Sequence, residues 1–300
     1  MKKKKQSNGW LKGLLPVGLM ALFVSMAFVP RLNAATYMVS VDPGTTYQTL
    51  DGFGAATAWY TNWVTTHPNK AELYKILFNE LGLDIIRFRN TYGSRNGASF
   101  APDEPEIVQQ ANLSLGHPIK VLISSWTPPS DLKANGTLNG GTLVKENGAF
   151  PYSKFADYWY NSLVAYANKG ISPDYISIQN EPDYENTGWE TCIFKPVEDA
   201  NYPGYNKALD AVYQRVQSLT NRPKLLGPEA CGLDSTLGTY TDNMDLSKVY
   251  GICHHLYNGG NGDSPDSFIS NMKSYGSRYK GKPIFQTEYD YGTPFTTGNL

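Results

Sequence analysis

An α/β barrel of the (β/α)8 type is predicted for this chain of 300 residues, and three observations predict it. Short β-prone apolar runs alternate with amphipathic helical stretches, which implies a parallel sheet with right-handed crossovers. Long loops follow the strands and short connections follow the helices, the asymmetry of a barrel that keeps its chemistry at the C-terminal rim. Two of the runs, Tyr175–Pro182 and Lys282–Tyr289, carry a glutamate where the strand emerges, Glu181 and Glu288. The alternative is an open doubly wound sheet, but no G-x-G-x-x-G follows the first strand to build a nucleotide site.

Residues 1–34 read as a secretory signal peptide. Lys2–Lys5 form a positive start, Leu14–Val29 an apolar run, and Leu32-Asn33-Ala34-Ala35 a cleavage site. An uncleaved membrane anchor is the competing reading, since the apolar run is long for a signal. Cleavage predicts a secreted, extracellular protein with no membrane association. Residues 35–46 are expected to be an N-terminal β-strand segment of a side β-structure: Thr36–Val41 alternates, and Asp42-Pro43-Gly44-Thr45 closes it as a turn.

Residues 47–300 are expected to be the barrel. Its beats are a Gly-rich strand over Thr49–Ala55 and a helix over Lys70–Leu81, then a strand over Asp84–Arg89 and a helix over Glu104–Leu115. Ile119–Ser124 is the clearest buried strand, followed by a helix that Ser153 caps and Gly170 ends. Tyr175–Gln179 precedes a helix over Tyr205–Leu219; Lys224–Gly227 precedes only weak helix; Val249–Leu256 precedes a helix over Ser267–Tyr279; Pro283–Thr287 comes last. That makes seven strands, not eight. A barrel lacking a strand has two unpaired edges, so the expectation is a barrel truncated after its seventh strand, the front part of a longer protein.

Six of the 26 basic residues and none of the 27 acidic ones lie in residues 1–34, so the remainder carries 20 against 27, a formal −7. A mildly acidic exported chain is a poor partner for nucleic acid or anionic membrane. The three cysteines, Cys192, Cys231 and Cys253, match no zinc spacing and allow at most one bridge. His254 and His255 are adjacent on a strand and point to opposite faces, so they do not share an ion. No metal or cofactor is expected.

Hydrolysis of a glycosidic bond needs two carboxyl groups flanking the bond, about 5–5.5 Å apart when the anomeric configuration is retained. Glu181 and Glu288 end the fourth and seventh strands, which face one another across a barrel. Asn180 beside Glu181 can donate to a sugar hydroxyl. The chain is rich in aromatics, with 21 Tyr and 6 Trp, and aromatic planes pack against the C–H faces of pyranose rings. Trp59 and Trp126 are the strongest candidates, and Trp189, Tyr184 and Tyr289 are weaker ones.

With these residues in view, the sequence resembles glycoside hydrolase family 30. The resemblance rests on Asp51-Gly-Phe-Gly54, Ile86-Arg87, Ser125-Trp-Thr-Pro-Pro-Ser-Asp131, Ile176-Ser-Ile-Gln-Asn-Glu-Pro-Asp-Tyr184, Gly227-Pro-Glu229, His255-Leu-Tyr257 and Gln286-Thr-Glu-Tyr289. It is greatest to the bacterial endo-β-1,4-xylanase and glucuronoxylanase branch. The resemblance implies that Glu181 is the acid/base and Glu288 the nucleophile. It further implies that Asn180 holds a sugar 2-hydroxyl, that Arg87 keeps Glu288 ionised, and that Trp59 and Trp126 line the bound ring. Tyr257 is expected near the nucleophile with His255 beneath it, and Glu229 as a supporting partner. The implied substrate is xylan or glucuronoxylan, acted on by a monomer. Another specificity of the family stays open, either β-1,6-glucanase or glucosylceramidase-like β-glucosidase. So does a non-catalytic carbohydrate-binding or inactive truncated barrel.

Overall fold

In the computed structural model, which describes residues 38–93, 100, 102–257 and 265–290, seven strands form one parallel sheet in sequential order. They are β1 (Gly54–Ala56), β2 (Ile85–Arg89), β3 (Lys120–Ser124), β4 (Tyr175–Ser177), β5 (Lys224–Ala230), β6 (Gly251–His255) and β7 (Ile284–Glu288). Cα atoms of β1 and β7 come within 8 Å of one another, so the sheet is a nearly closed barrel. No ladder joins these two strands among the described residues. Each of the seven predicted barrel strands is present; β1 begins at Gly54 rather than Thr49, β4 ends at Ser177 rather than Gln179, and β5 runs on to Ala230 rather than ending at Gly227.

Among the described residues seven α-helices connect or flank the strands: α1 (Thr61–Thr66), α2 (Lys70–Tyr74), α3 (Glu104–Leu115), α4 (Tyr152–Ala167), α5 (Tyr205–Val216), α6 (Ser235–Asn243) and α7 (Pro265–Arg278). Three sequence expectations are corrected. The helix expected over Lys70–Leu81 changes at Lys75 to a π-helix that runs to Glu80, with Leu81 N–H donating to Ile76 O at 2.8 Å. Ser153 does not cap α4; it sits in the first turn, and the helix starts from Pro151 without a side-chain cap. The segment expected to be weak helix after β5 forms α6, whose start Asp234 caps by accepting from Thr236 N–H.

Residues 38–41, expected to be a strand, carry no ladder among the described residues; a lone extended segment has no neighbour to take its N–H groups. The turn that follows is present, with Gly44 N–H and Thr45 Oγ1 both donating to the Asp42 carboxylate. Residues 1–34 lie outside the described residues. Among the described residues no helix is long and apolar enough to cross a membrane.

The two-residue period of the strands separates two cores. Val121, Ile123, Ile176 and Leu225 face outward and pack with Phe155, Trp159 and Leu209 from α4 and α5. Leu122, Tyr175, Leu226 and Cys253 face inward with Tyr250 and Phe285 and fill the barrel floor. Tyr175 Oη donates to Asp51 at 3.0 Å and so ties the floor to the segment before β1. Gly54 is required in β1 because a Cβ there would lie 2.3 Å from the Ile85 carbonyl oxygen. Above the apolar floor the inward-facing residues turn polar: Arg87, Ser124, Ser177, Glu229 and His255 are all buried.

Candidate active site

β4 is the element around which the site is built. Its ladder stops at Ser177, and the chain beyond it is fixed by hydrogen bonds to neighbouring elements. Trp159 Nε1 of α4 donates to Ile178 O at 3.1 Å, Gln179 Nε2 to Trp126 O at 2.7 Å, Asn180 N–H to Ser125 O at 2.7 Å and Glu181 N–H to Glu229 O at 3.0 Å. Glu181 has φ +45° and Glu229 φ +63°. Left-handed backbone is unfavourable for residues with a Cβ, costs about 1–2 kcal/mol, and clusters at sites where side chains must be aimed. In β5 the register slips between Pro228 and Ala230. That bulge turns Glu229, which strict alternation would send outward, into the barrel.

The structure brings most of the predicted residues to one place. Glu181, His255 and Glu288 place one ligand atom each within 4.8 Å of one another. Arg87, buried on β2, donates from Nη1 to Glu288 Oε2 at 2.7 Å, from Nη2 to Asn180 Oδ1 at 2.6 Å and from Nε to Ser124 Oγ at 3.1 Å. Its Nη2 also lies 3.1 Å from Glu229 Oε1. Because Asn180 Oδ1 is occupied by Arg87, the amide turns its NH2 away from the guanidinium as a donor. Tyr257 Oη donates to the second Glu288 oxygen at 2.9 Å. The Trp126 ring lies against Arg87, 4.5 Å from the guanidinium carbon, and meets Trp59 edge-on at 5.9 Å. Trp126 is buried, whereas Trp59 is 43% exposed and stacks on Arg89 at 4.0 Å. The His255 and Tyr257 rings meet edge-on at 6.0 Å.

Burial opposes every charge here, and the charges hold one another in place. Burial raises the Glu288 carboxyl, but His255 and Arg87 outweigh it and hold Glu288 below its ordinary range. Burial likewise works against Glu229, yet the Arg87 and His255 charges pull it down to about 2. His255 Nδ1 is 2.7 Å from Glu181 Oε1 and its Nε2 is 3.8 Å from Glu229 Oε1. Burial lowers the imidazole; the flanking carboxyl groups of Glu181, Glu229 and Glu288 more than reverse this and push it up to about 9. His254 shows the opposite outcome on the same strand: buried against its own backbone, it falls to about 4.

A pH dependence of stability follows, with opposite signs on its two limbs. His255 rises from 6.5 unfolded to about 9 folded, so its contribution is complete below pH 6.5 and lost as the pH climbs through 9. Glu229 falls from 4.5 to about 2, so its contribution is complete above pH 4.5 and lost as the pH drops through 2. Each is worth on the order of 3 kcal/mol, and they are not additive because they face each other. The melting temperature is expected to be highest between pH 4.5 and 6.5. In thermal melts from pH 3 to 9, His255→Asn should flatten the alkaline limb and, because His255 also helps hold Glu229 down, weaken the acidic limb without abolishing it; a parallel alkaline decline in both proteins would refute this.

Several residues of the site play a larger part than the sequence reading gave them. Glu229, expected only as a supporting partner, is the fully buried hub that Arg87 and Ser124 both contact. Its signal was the Gly227-Pro-Glu229 motif. Ser124 and Arg89 end buried strands and were open to the same reading as Arg87. Cys231 follows β5 directly, and its thiol hydrogen-bonds to Glu181; burial, then the Glu181 and Asp183 charges, raise it far above the ordinary thiol range. All three cysteines are free thiols. Glu181, His255 and Glu288 are also the residues that could share a cation among the described residues. The Arg87 cation beside Glu288 acts against one electrostatically.

Comparison with known proteins places this geometry in context. Residues 105–192 match the Glycosyl hydrolase family 30 TIM-barrel domain. A glucuronoxylanase of Bacillus subtilis strain 168 is 26% identical over 216 residues, which cover 70% of this chain and 49% of that protein. An endo-1,6-β-D-glucanase of Aspergillus fumigatus is 30% identical over 258 residues, covering 71% of this chain and 48% of that protein. The crystal structure of a family 30 subfamily 8 xylanase from Clostridium acetobutylicum aligns with TM-score 0.58 and 26% identity. That alignment covers 82% of this chain and 57% of the xylanase. The chain thus spans about half the length of the curated relatives it matches.

Proposed function

Since the chain belongs to glycosyl hydrolase family 30, we propose that it is a retaining endo-β-1,4-xylanase, exported through residues 1–34 and acting as a monomer on xylan or glucuronoxylan. The observation that carries the mechanism is the pair Glu181 and Glu288, with oxygens within 4.8 Å across the barrel mouth. That spacing leaves no room for a water between carboxylate and sugar, which an inverting pair at about 6.5–9.5 Å requires. Glu288, held ionised by Arg87 and His255 and oriented by Tyr257, attacks the anomeric carbon. Glu181 protonates the leaving oxygen and then deprotonates the water that hydrolyses the glycosyl-enzyme. Asn180, fixed by Arg87, donates to the sugar 2-hydroxyl, and Trp126 with Trp59 walls the ring that Glu288 attacks.

The xylan specificity is supported by the B. subtilis and C. acetobutylicum relatives. A second reading, β-1,6-glucanase, is favoured by the higher identity to the A. fumigatus enzyme. The purified protein, incubated separately with linear xylan, glucuronoxylan and β-1,6-glucan, is expected to release xylo-oligosaccharides from both xylans. Products from glucuronoxylan alone would place recognition on the side group. Release of gluco-oligosaccharides without xylo-oligosaccharides would replace the xylanase reading by the glucanase one.

A further inference from the structure

Beyond the two glutamates, the loop after β4 carries an aromatic pair that the mechanism leaves unused. Tyr184 and Trp189 are 36% and 48% exposed, while Thr191–Phe194 just beyond them are buried. Their rings are stacked, with centroids 6.3 Å apart and planes 29° from parallel. Single exposed aromatics need no explanation. Two held against each other by a fastened loop differ, because rigid aromatic area is what a flat ligand uses.

The loop is fastened on several sides. Asn186 Nδ2 donates to Tyr184 Oη at 3.3 Å, Gly188 N–H to Asn186 Oδ1 at 2.6 Å and Gly140 N–H to Trp189 O at 3.3 Å. Next to Trp189, Glu190 is ion-paired with buried Arg89 at 2.6 Å. From below, the buried Lys133 ammonium donates to Thr191 O.

Position gives the pair its meaning. Tyr184 N–H donates to Glu181 O at 3.1 Å, so the platform begins one turn beyond the proposed acid/base. Glu181 protonates the oxygen that departs, so the sugar nearest its loop is the departing one. Arg87 is bonded to Glu288 and Trp126 packs on Arg87, so in the proposed mechanism these two serve the sugar that stays. A ring sandwiched between two aromatic faces needs two contacts of about 3.5–4 Å, roughly 7–8 Å in all. The 6.3 Å gap is too small, so the ligand packs on an outer face of the pair.

We propose that Tyr184 and Trp189 form a stacking platform for the sugar ring on the leaving-group side of the cleaved bond. This deepens the glycosidase reading and rests on Glu181 as its acid. The platform favours a polymer continuing past the cleaved bond over a substrate that ends there.

The test compares two substrates of the full chain: a linear hexasaccharide, β-1,4-xylohexaose or β-1,6-glucohexaose, and the matching glycosyl fluoride, whose leaving group is one atom. Trp189→Ala is expected to lower kcat/KM on the hexasaccharide about ten-fold more than on the fluoride. Tyr184→Ala should act in the same direction, and Trp189→Phe should restore most of the difference. The ratio of two activities in one sample cancels any loss of folded protein. Equal losses on both substrates, or none, would overturn the platform while leaving the hydrolase reading intact. A wild-type protein inert on both hexasaccharides and both fluorides would overturn the hydrolase reading and the platform with it.

Discussion

Glu288→Ala is expected to lose turnover on every glycoside the protein cleaves, by on the order of 10⁴-fold or more, because no other group can form the bond to the anomeric carbon. Glu181→Ala differs in kind. Its loss should be large on polysaccharide, whose leaving oxygen needs a proton, and much smaller on a glycosyl fluoride, which needs none. Added azide should accelerate Glu181→Ala and yield a glycosyl azide of retained configuration. Azide should do nothing for wild type and give the inverted product, if any, with Glu288→Ala. Product configuration by NMR separates these outcomes. Azide rescue with inverted configuration in Glu181→Ala would exchange the two roles.

Arg87→Met is the second large effect, and it reaches stability and chemistry together. Arg87 is buried between Glu229 and Glu288, and its removal leaves Glu229 fully buried with only His255 to balance it. Breaking a buried pair on one side costs about 3–5 kcal/mol, which for a domain of this size lowers Tm by on the order of 10 °C. Because Arg87 helps hold Glu288 below its ordinary carboxylate range, its loss should also move the acidic limb of kcat/KM to higher pH. Arg87→Met with Glu229→Gln should recover part of the Tm, since the uncompensated buried charge is then gone. An unchanged acidic limb would show that Arg87 does not set the charge of Glu288.

The barrel was legible because each inner strand is buried on both faces, so β3 reads through Val121–Ile123 as an unbroken apolar run that no loop would carry. Glu181 and Glu288 stood out for the converse reason: each is a charge that ends such a run. What the sequence did not reveal depends on partners distant along the chain. Ser124 meets Arg87 across 37 positions and Glu229 across 105, and Arg89 meets Glu190 across 101. No local period encodes such pairs. Glu229 was harder still, because alternation along β5 sends it outward and only a bulge with left-handed backbone brings it in. The π turn at Lys75 was invisible for a similar reason: one added residue barely disturbs a helical stripe.

Glu288 stands on β7, which is laddered to β6 alone among the described residues and is only half-buried along its length. The partner carboxylate, Glu181, follows the fully buried β4 between two ladders. The two proposed catalytic carboxylates therefore rest, among the described residues, on supports of unequal burial. In the proposed mechanism, a loosening of β7 ahead of β4 on warming would withdraw Glu288 from Glu181 before the sheet melts. The Arg87 and Tyr257 bonds to Glu288 are what tether the last residue of that strand against such a loss.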